Sequence, residues 1–84
     1  MRSVRFGLPV VLTEHAKLRM GEREISQAIV LDIIDTGTLK EAGNSHFWLY
    51  KRVDGREDNL LCVAAVIDNV LVVKTIMHHW KPTP

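Results

Sequence analysis

Hydrophobic positions along this chain follow two periods, and the change falls near residue 37. Ile29, Val30, Ile33 and Ile34 recur at helical spacing, with Ala28 and Leu31 flanking them and Asp32 and Asp35 facing elsewhere. Ser26 stands where an N-cap belongs. Thr36-Gly37 ends the segment, with Gly37 expected to take the left-handed conformation common at helix C-termini. A weaker stripe precedes it. Ala16 and Met20 lie four apart with Leu18 nearby, which predicts a helix from a Thr13 cap to about Glu22, with Glu14 at its positive end. Val10-Val11-Leu12, after Pro9, reads as a short extended lead-in.

From Thr38 the period drops to two. Phe47, Leu49 and Val53 alternate with His46, Trp48, Tyr50 and Arg52, the pattern of a strand with one covered face. Gly43-Asn44-Ser45 reads as a turn before it. Asp54-Gly55 begins another, in a loop that runs through Arg56-Glu57-Asp58. Leu60 to Ile67 is apolar on both faces and should be a central strand. Asp68-Asn69 fits a two-residue hairpin turn, since both residues tolerate positive φ. In the last strand, Val70 to about Trp80, Leu71, Val73, Thr75 and Met77 share one face, and Val72, Lys74, Ile76, His78 and Trp80 the other. Pro82 and Pro84 stop further pairing. These elements predict one α+β domain over residues 1–84: two N-terminal helices packed on one face of a twisted antiparallel sheet of about four strands. The helices should cover the face holding Phe47, Leu49, Val53, Leu71, Val73 and Met77, unless a bulge inverts part of it.

Composition narrows the function classes. A hydrophobic share of 46% against 25% charged residues is that of a folded domain and not of a disordered chain. The single cysteine, Cys62, excludes an internal disulfide and sits in an apolar run, so it reads as a small core residue of a cytoplasmic protein. No segment approaches the roughly 18–20 apolar residues of a membrane span. Charge is unevenly spread: residues 1–23 carry +3, residues 24–68 carry −4 and residues 69–84 carry +2. If the two ends meet in space, they form a positive patch that the net charge of +1 conceals.

Three constellations hold chemistry. His15, Arg19 and Arg23 are spaced four apart, so they stack along one helix face and suit a phosphate, although spacing alone favours a solvated face partly neutralised by Glu22 and Glu24. The sheet face with His46, Trp48, Tyr50, Arg52, Lys74, His78 and Trp80 interleaves rings with cations, as single-stranded nucleic acid requires, and as a small secondary core or dimer interface also would. His78-His79 would point to opposite faces of a regular strand, and no ligand spacing supports a metal. The expected cofactor set is empty.

Thr13-Glu14-His15-Ala16, then Arg19-Met20, Glu22-Arg23 and Ile25-Ser26, resembles the opening of a bacterial family of domains of unknown function, the one numbered 4258. Val72-Val73-Lys74-Thr75-Ile76 resembles its closing strands. The chain departs from the pattern at Met20-Gly21, where many relatives carry a bulkier helix former. The resemblance implies the fold of RelE- and ParE-type toxins of toxin–antitoxin systems. RelE-type members cut messenger RNA and ParE-type members act on DNA gyrase, and the fold does not choose between them. The expectation is therefore a toxin-like RNA-binding protein or metal-independent ribonuclease. His15 and His78 would transfer protons and Arg19 would contact the phosphate. Arg23, Arg52, Lys74, Trp48, Tyr50 and Trp80 would bind RNA. Expected partners are RNA, ribosome-bound message included, or a cognate antitoxin, with no membrane and a homo-oligomer left open. The competing expectation is a non-enzymatic protein-interaction module, antitoxin-binding or gyrase-targeting, on the same fold.

Overall fold

The computed structural model describes residues 1–57 and 60–81. The expectations for Asp58, Pro82 and Pro84 lie outside the described residues. Helix α1 spans Glu14–Arg23 and α2 spans Gln27–Thr36. Each starts on a hydroxyl. Thr13 accepts the Ala16 amide and Ser26 accepts the Ile29 amide, satisfying two of the donors a helix N-terminus leaves unpaired. In α1, Ala16 and Met20 are buried while Leu18 is exposed. In α2, Val30, Ile33 and Ile34 are fully buried, each contributing about 1.5–3 kcal/mol of apolar burial.

The helix ends differ from expectation. The left-handed residue is Glu24, at φ 52°, where α1 stops, and its N–H caps Met20. Gly37 is extended, at φ −74°. Its need is for space: a Cβ there would lie 2.4 Å from the Ile33 carbonyl oxygen and 3.0 Å from that of Tyr50. Glycine at this position lets the end of α2 approach the sheet.

The sheet holds six strands among the described residues, in place of about four. They are β1 (Arg2–Ser3), β2 (Leu8–Leu12), β3 (Thr38–Gly43), β4 (His46–Lys51), β5 (Leu61–Ile67) and β6 (Leu71–Met77), in the spatial order β1-β2-β6-β5-β4-β3. The lead-in is a strand, and β2 pairs parallel to β6 with Val10 opposite Leu71 and Leu12 opposite Val73, so the sheet is mixed. The first and last long strands are thus neighbours. β5 is central, between β4 and β6, with Leu61, Cys62, Val63 and Ala65 buried on both faces. Gly43-Asn44-Ser45 turns as expected, with Asn44 and Ser45 both at positive φ. The other hairpin is looser than expected: Ile67 opposes Leu71 across Asp68, Asn69 and Val70, and neither Asp68 nor Asn69 has positive φ.

One irregularity rewrites the face assignment. Ala64 opposes Thr75 while Ala65 opposes Val73, so Lys74 is an extra residue in β6. Beyond this bulge the alternation inverts. Ile76 joins Leu71 and Val73 in the core, opposite Val63, and Met77 moves to the outer face, opposite Cys62. Both helices cover the core face, α1 along β6 and α2 over β4 and β5. No helix among the described residues is long and apolar enough to cross a membrane.

Candidate functional site

The seam between α1 and β6 begins at Thr13. β2 stops pairing at Val73, which leaves the carbonyls of β6 beyond that point without a strand neighbour on that side. Helix α1 fills the place. Thr13 donates its amide to Val73 O at 3.2 Å and its hydroxyl to Lys74 O at 3.1 Å, and Arg23 Nη1 donates to Ile76 O. One threonine therefore caps α1 and fixes it to the bulge. The helix row His15–Arg19–Arg23 runs between these anchors.

The seam gathers most of the residues the sequence singled out. His15 is exposed, with no side-chain partner among the described residues. Arg19 is half-buried and pairs with Glu22 Oε1 at 2.6 Å. Exposed pairs of this kind contribute only about 0–1 kcal/mol, so the guanidinium remains available to a better anion. Arg23 is half-buried and engages one of its five donors in the Ile76 bond. Lys74 is exposed on the bulge. His78 follows β6, two residues beyond the Arg23 anchor, with its ring 4.8 Å from that of His79. The two imidazoles are side by side because His79, at φ 50°, has left the strand conformation. The expectation that they point to opposite faces is corrected by that turn. Among the described residues no three His, Cys, Asp or Glu side chains gather as a metal site.

Trp48, Tyr50 and Trp80 form a separate group on the outer face. Trp80 packs on Tyr50 at 4.7 Å between ring centroids and edge-on against Trp48 at 5.5 Å. The Lys40 ammonium lies 5.8 Å from the Trp48 ring centroid. Arg52 is exposed just beyond the end of β4. His46 bonds through Nδ1 to Asn44 O at 2.9 Å, an interaction of its own turn. The expected single face of rings and cations is therefore divided. Rings occupy the outer face of the sheet with Lys40 beside them, and Arg19, Arg23 and Lys74 lie along α1 and the β6 bulge.

Other charged groups shape the surface without having been singled out. Asp35, facing away from the apolar stripe of α2, accepts the Ser3 hydroxyl at 2.6 Å and lies 3.4 Å from both the Val4 and Arg5 amides. Arg5 donates to Ile34 O and Gly37 O, at 3.3 and 2.7 Å, completing the C-terminus of α2. The β1–β2 hairpin is latched to α2 by these bonds. Arg56 does the same for α1, donating to the carbonyls of Arg23 and Glu24 at 2.9 and 3.0 Å. Asp32 pairs with Lys51 at 2.8 Å, and that hydrogen bond holds its carboxyl below the usual range. Only the spacing of Arg5 and Arg56 from the helix ends in three dimensions gives them these tasks. Nothing in their sequence neighbourhood signals it. Cys62 is fully buried, as expected, and burial pushes its thiol up to about 12.

Two helices laid on one face of a mixed sheet, with a cationic seam at one flank and a ring cluster on the opposite face, define a small α+β domain. The chain belongs to the family described as Domain of unknown function (DUF4258), whose model matches residues 12–78. His15, Arg19, Arg23, Lys74 and His78 all lie within the matched segment, and Trp80 lies beyond it. No curated protein and no solved structure matches the chain.

Proposed function

We propose that this domain is a toxin-like protein that binds single-stranded RNA along the α1–β6 seam and cleaves it without a metal. The observation that supports this most is the meeting of the chain's two basic ends. The Thr13 and Arg23 bonds lay α1, which carries Arg19 and Arg23, along the strand that carries Lys74 and leads to His78.

In the proposed reaction one imidazole takes the proton of a 2′-hydroxyl, and that oxygen attacks the adjacent phosphorus. The P–O5′ bond breaks, the other imidazole gives its proton to the departing oxygen, and a 2′,3′-cyclic phosphate remains. Arg19, Arg23 and Lys74 would stabilise the charge that grows on the phosphoryl oxygens. His15 and His78 are the candidates for the two proton-transfer roles.

Binding of a labelled single-stranded RNA, followed by anisotropy at several salt concentrations, tests the reading. Lys74→Ala should weaken binding and reduce the salt slope by about 1. His78→Ala should slow cleavage by roughly 10²–10⁴-fold with binding retained, and a chelator should leave the parent rate unchanged. Protein that neither binds nor cuts RNA, yet captures a protein partner through the outer face, would replace this reading with the interaction module. The half-buried ring cluster, with Val11 48% exposed on the same uncovered face, favours that second reading.

A further inference from the structure

The face of the sheet turned away from both helices is apolar across its middle. The pairing register sets its side chains in rows that run across the strands. Val11, Val72 and Val66 are neighbours on β2, β6 and β5. Thr75, Ala64 and Trp48 form the next row, on β6, β5 and β4. Val11 is 48% exposed, and Val72, Val66, Ala64 and Trp48 are half-buried. The Trp80 ring packs on Tyr50 and edge-on against Trp48, so one end of the face stands higher than the valine floor at the other. Among the described residues, no paired position on this face carries a carboxylate. Its cations are at the margins, Arg2 on β1 and Lys40 on β3.

An apolar middle inside polar margins is the anatomy of a protein contact, and interfaces between identical chains are the more apolar kind. The size fits a second copy. Five strands about 4.8 Å apart and about six residues long cover roughly 24 by 20 Å, so two copies face to face would cover about 1,000 Å² in all. That is near the lower limit for a specific interface and suits a reversible pair. The relief fits as well. A two-fold axis lying across the strands turns one copy end for end, which sets the raised rings of each over the valine floor of the other. The free edge of β3 is a poorer place for two copies to join. Opposite residues of antiparallel strands share a face, so a two-fold pairs only positions of equal parity. A centred register of β3 on itself then sets Lys40 against Lys40 or Glu41 against Glu41.

We propose that a second copy of this chain covers the outer face, in a symmetric dimer packed sheet to sheet through Val11, Val72, Val66 and the ring cluster. Both helices lie on the opposite face, so the dimer neither uses nor blocks the α1–β6 seam. It holds whether or not that seam binds RNA.

Sedimentation equilibrium of the whole chain, from about 1 to 500 µM, tests the dimer. The average mass should rise from that of one chain toward that of two across this range. Trp48 and Trp80 are the only tryptophans, and their emission should move to the blue over the same concentrations as the partner copy covers them. Val11→Glu, at an exposed position, should keep the circular dichroism and melting of the monomer. It should weaken the pairing by about tenfold or more, because each dimer would bury two unpaired carboxylates. Leu18→Glu, on α1 and 59% exposed, should pair as the parent does. A chain that stays monomeric at about 500 µM would overturn the dimer and leave the outer face to a different protein. Pairing that Val11→Glu leaves unchanged, or that proceeds with no change in tryptophan emission, would place the contact elsewhere and overturn it as well.

Discussion

Gly37→Ala and Gly21→Ala are the same chemical change with opposite expected outcomes. At Gly37 the backbone is extended, so an alanine meets no conformational strain of its own. The obstacle is steric. The new Cβ would stand 2.4 Å from Ile33 O and 3.0 Å from Tyr50 O, and both neighbours are backbone. Neither can rotate aside as a side chain would. Relief requires the end of α2 to move off β4 by more than half an ångström, which loosens Ile33 and Ile34 in the core and strains the bond from the Gly37 amide to Ile33 O, now 2.8 Å. Overpacking of this kind costs about 1–3 kcal/mol, and a weakened hydrogen bond adds about 1. For a domain of this size the melting temperature should fall by roughly 10–25 °C. At Gly21, within α1, a Cβ meets nothing within 4 Å. Alanine there should stabilise by about 0.5–1 kcal/mol and raise the midpoint by a few degrees. Thermal melts followed by circular dichroism decide the matter. Two variants that melt together, or a Gly37→Ala protein within about 2 °C of the parent, would refute the steric argument.

Removal of the Asp35 carboxylate should free the N-terminal hairpin before the rest of the fold. Asp35→Ala leaves the buried Ser3 hydroxyl without its acceptor and should cost about 1–3 kcal/mol, with hydrogen exchange accelerated at Val4 and Arg5 while β5 amides keep their relative protection. Cys62 should make stability fall in alkali. Its folded pKa is raised to about 12, above the unfolded value, so its contribution is whole below the unfolded pKa of about 8.5 and is lost as pH rises toward the folded one. Denaturant midpoints measured across that range should decline more steeply for the parent than for Cys62→Ala, and parallel curves would contradict the assignment.

Local signals carried the helices and the middle of the sheet. Thr13 and Ser26 cap as their hydroxyls predict, and the two-sided apolar run of β5 marks a strand with a neighbour on each side. The parallel partner of β6 was not legible, because β2 contains Pro9 and its pairing joins residues some sixty positions apart. Periodicity sees only neighbours along the chain. The Lys74 bulge hid for a related reason. A single inserted residue leaves every hydrophobic in place and exchanges only which face it meets. Of the candidate site, the His15–Arg19–Arg23 row was visible from spacing. That Thr13 and Arg23 would tie this row to three β6 carbonyls depends on where β2 stops pairing, which no local pattern states.

The pairing of β2 with β6 also sets an order of events during synthesis. β2 leaves the ribosome first and then waits for a strand made some sixty residues later. Closing so long a loop costs about 3–4 kcal/mol more in chain entropy than a contact between immediate neighbours, by the logarithmic scaling of loop length. Until β6 emerges, α1 has no bulge to anchor on, and Thr13 and Arg23 have no carbonyls to bind. An interrupted translation product lacking β6 therefore cannot assemble the cationic seam, however well its helices form. If the seam damages RNA, a nascent chain is harmless to the ribosome that is making it until the last strand is in place.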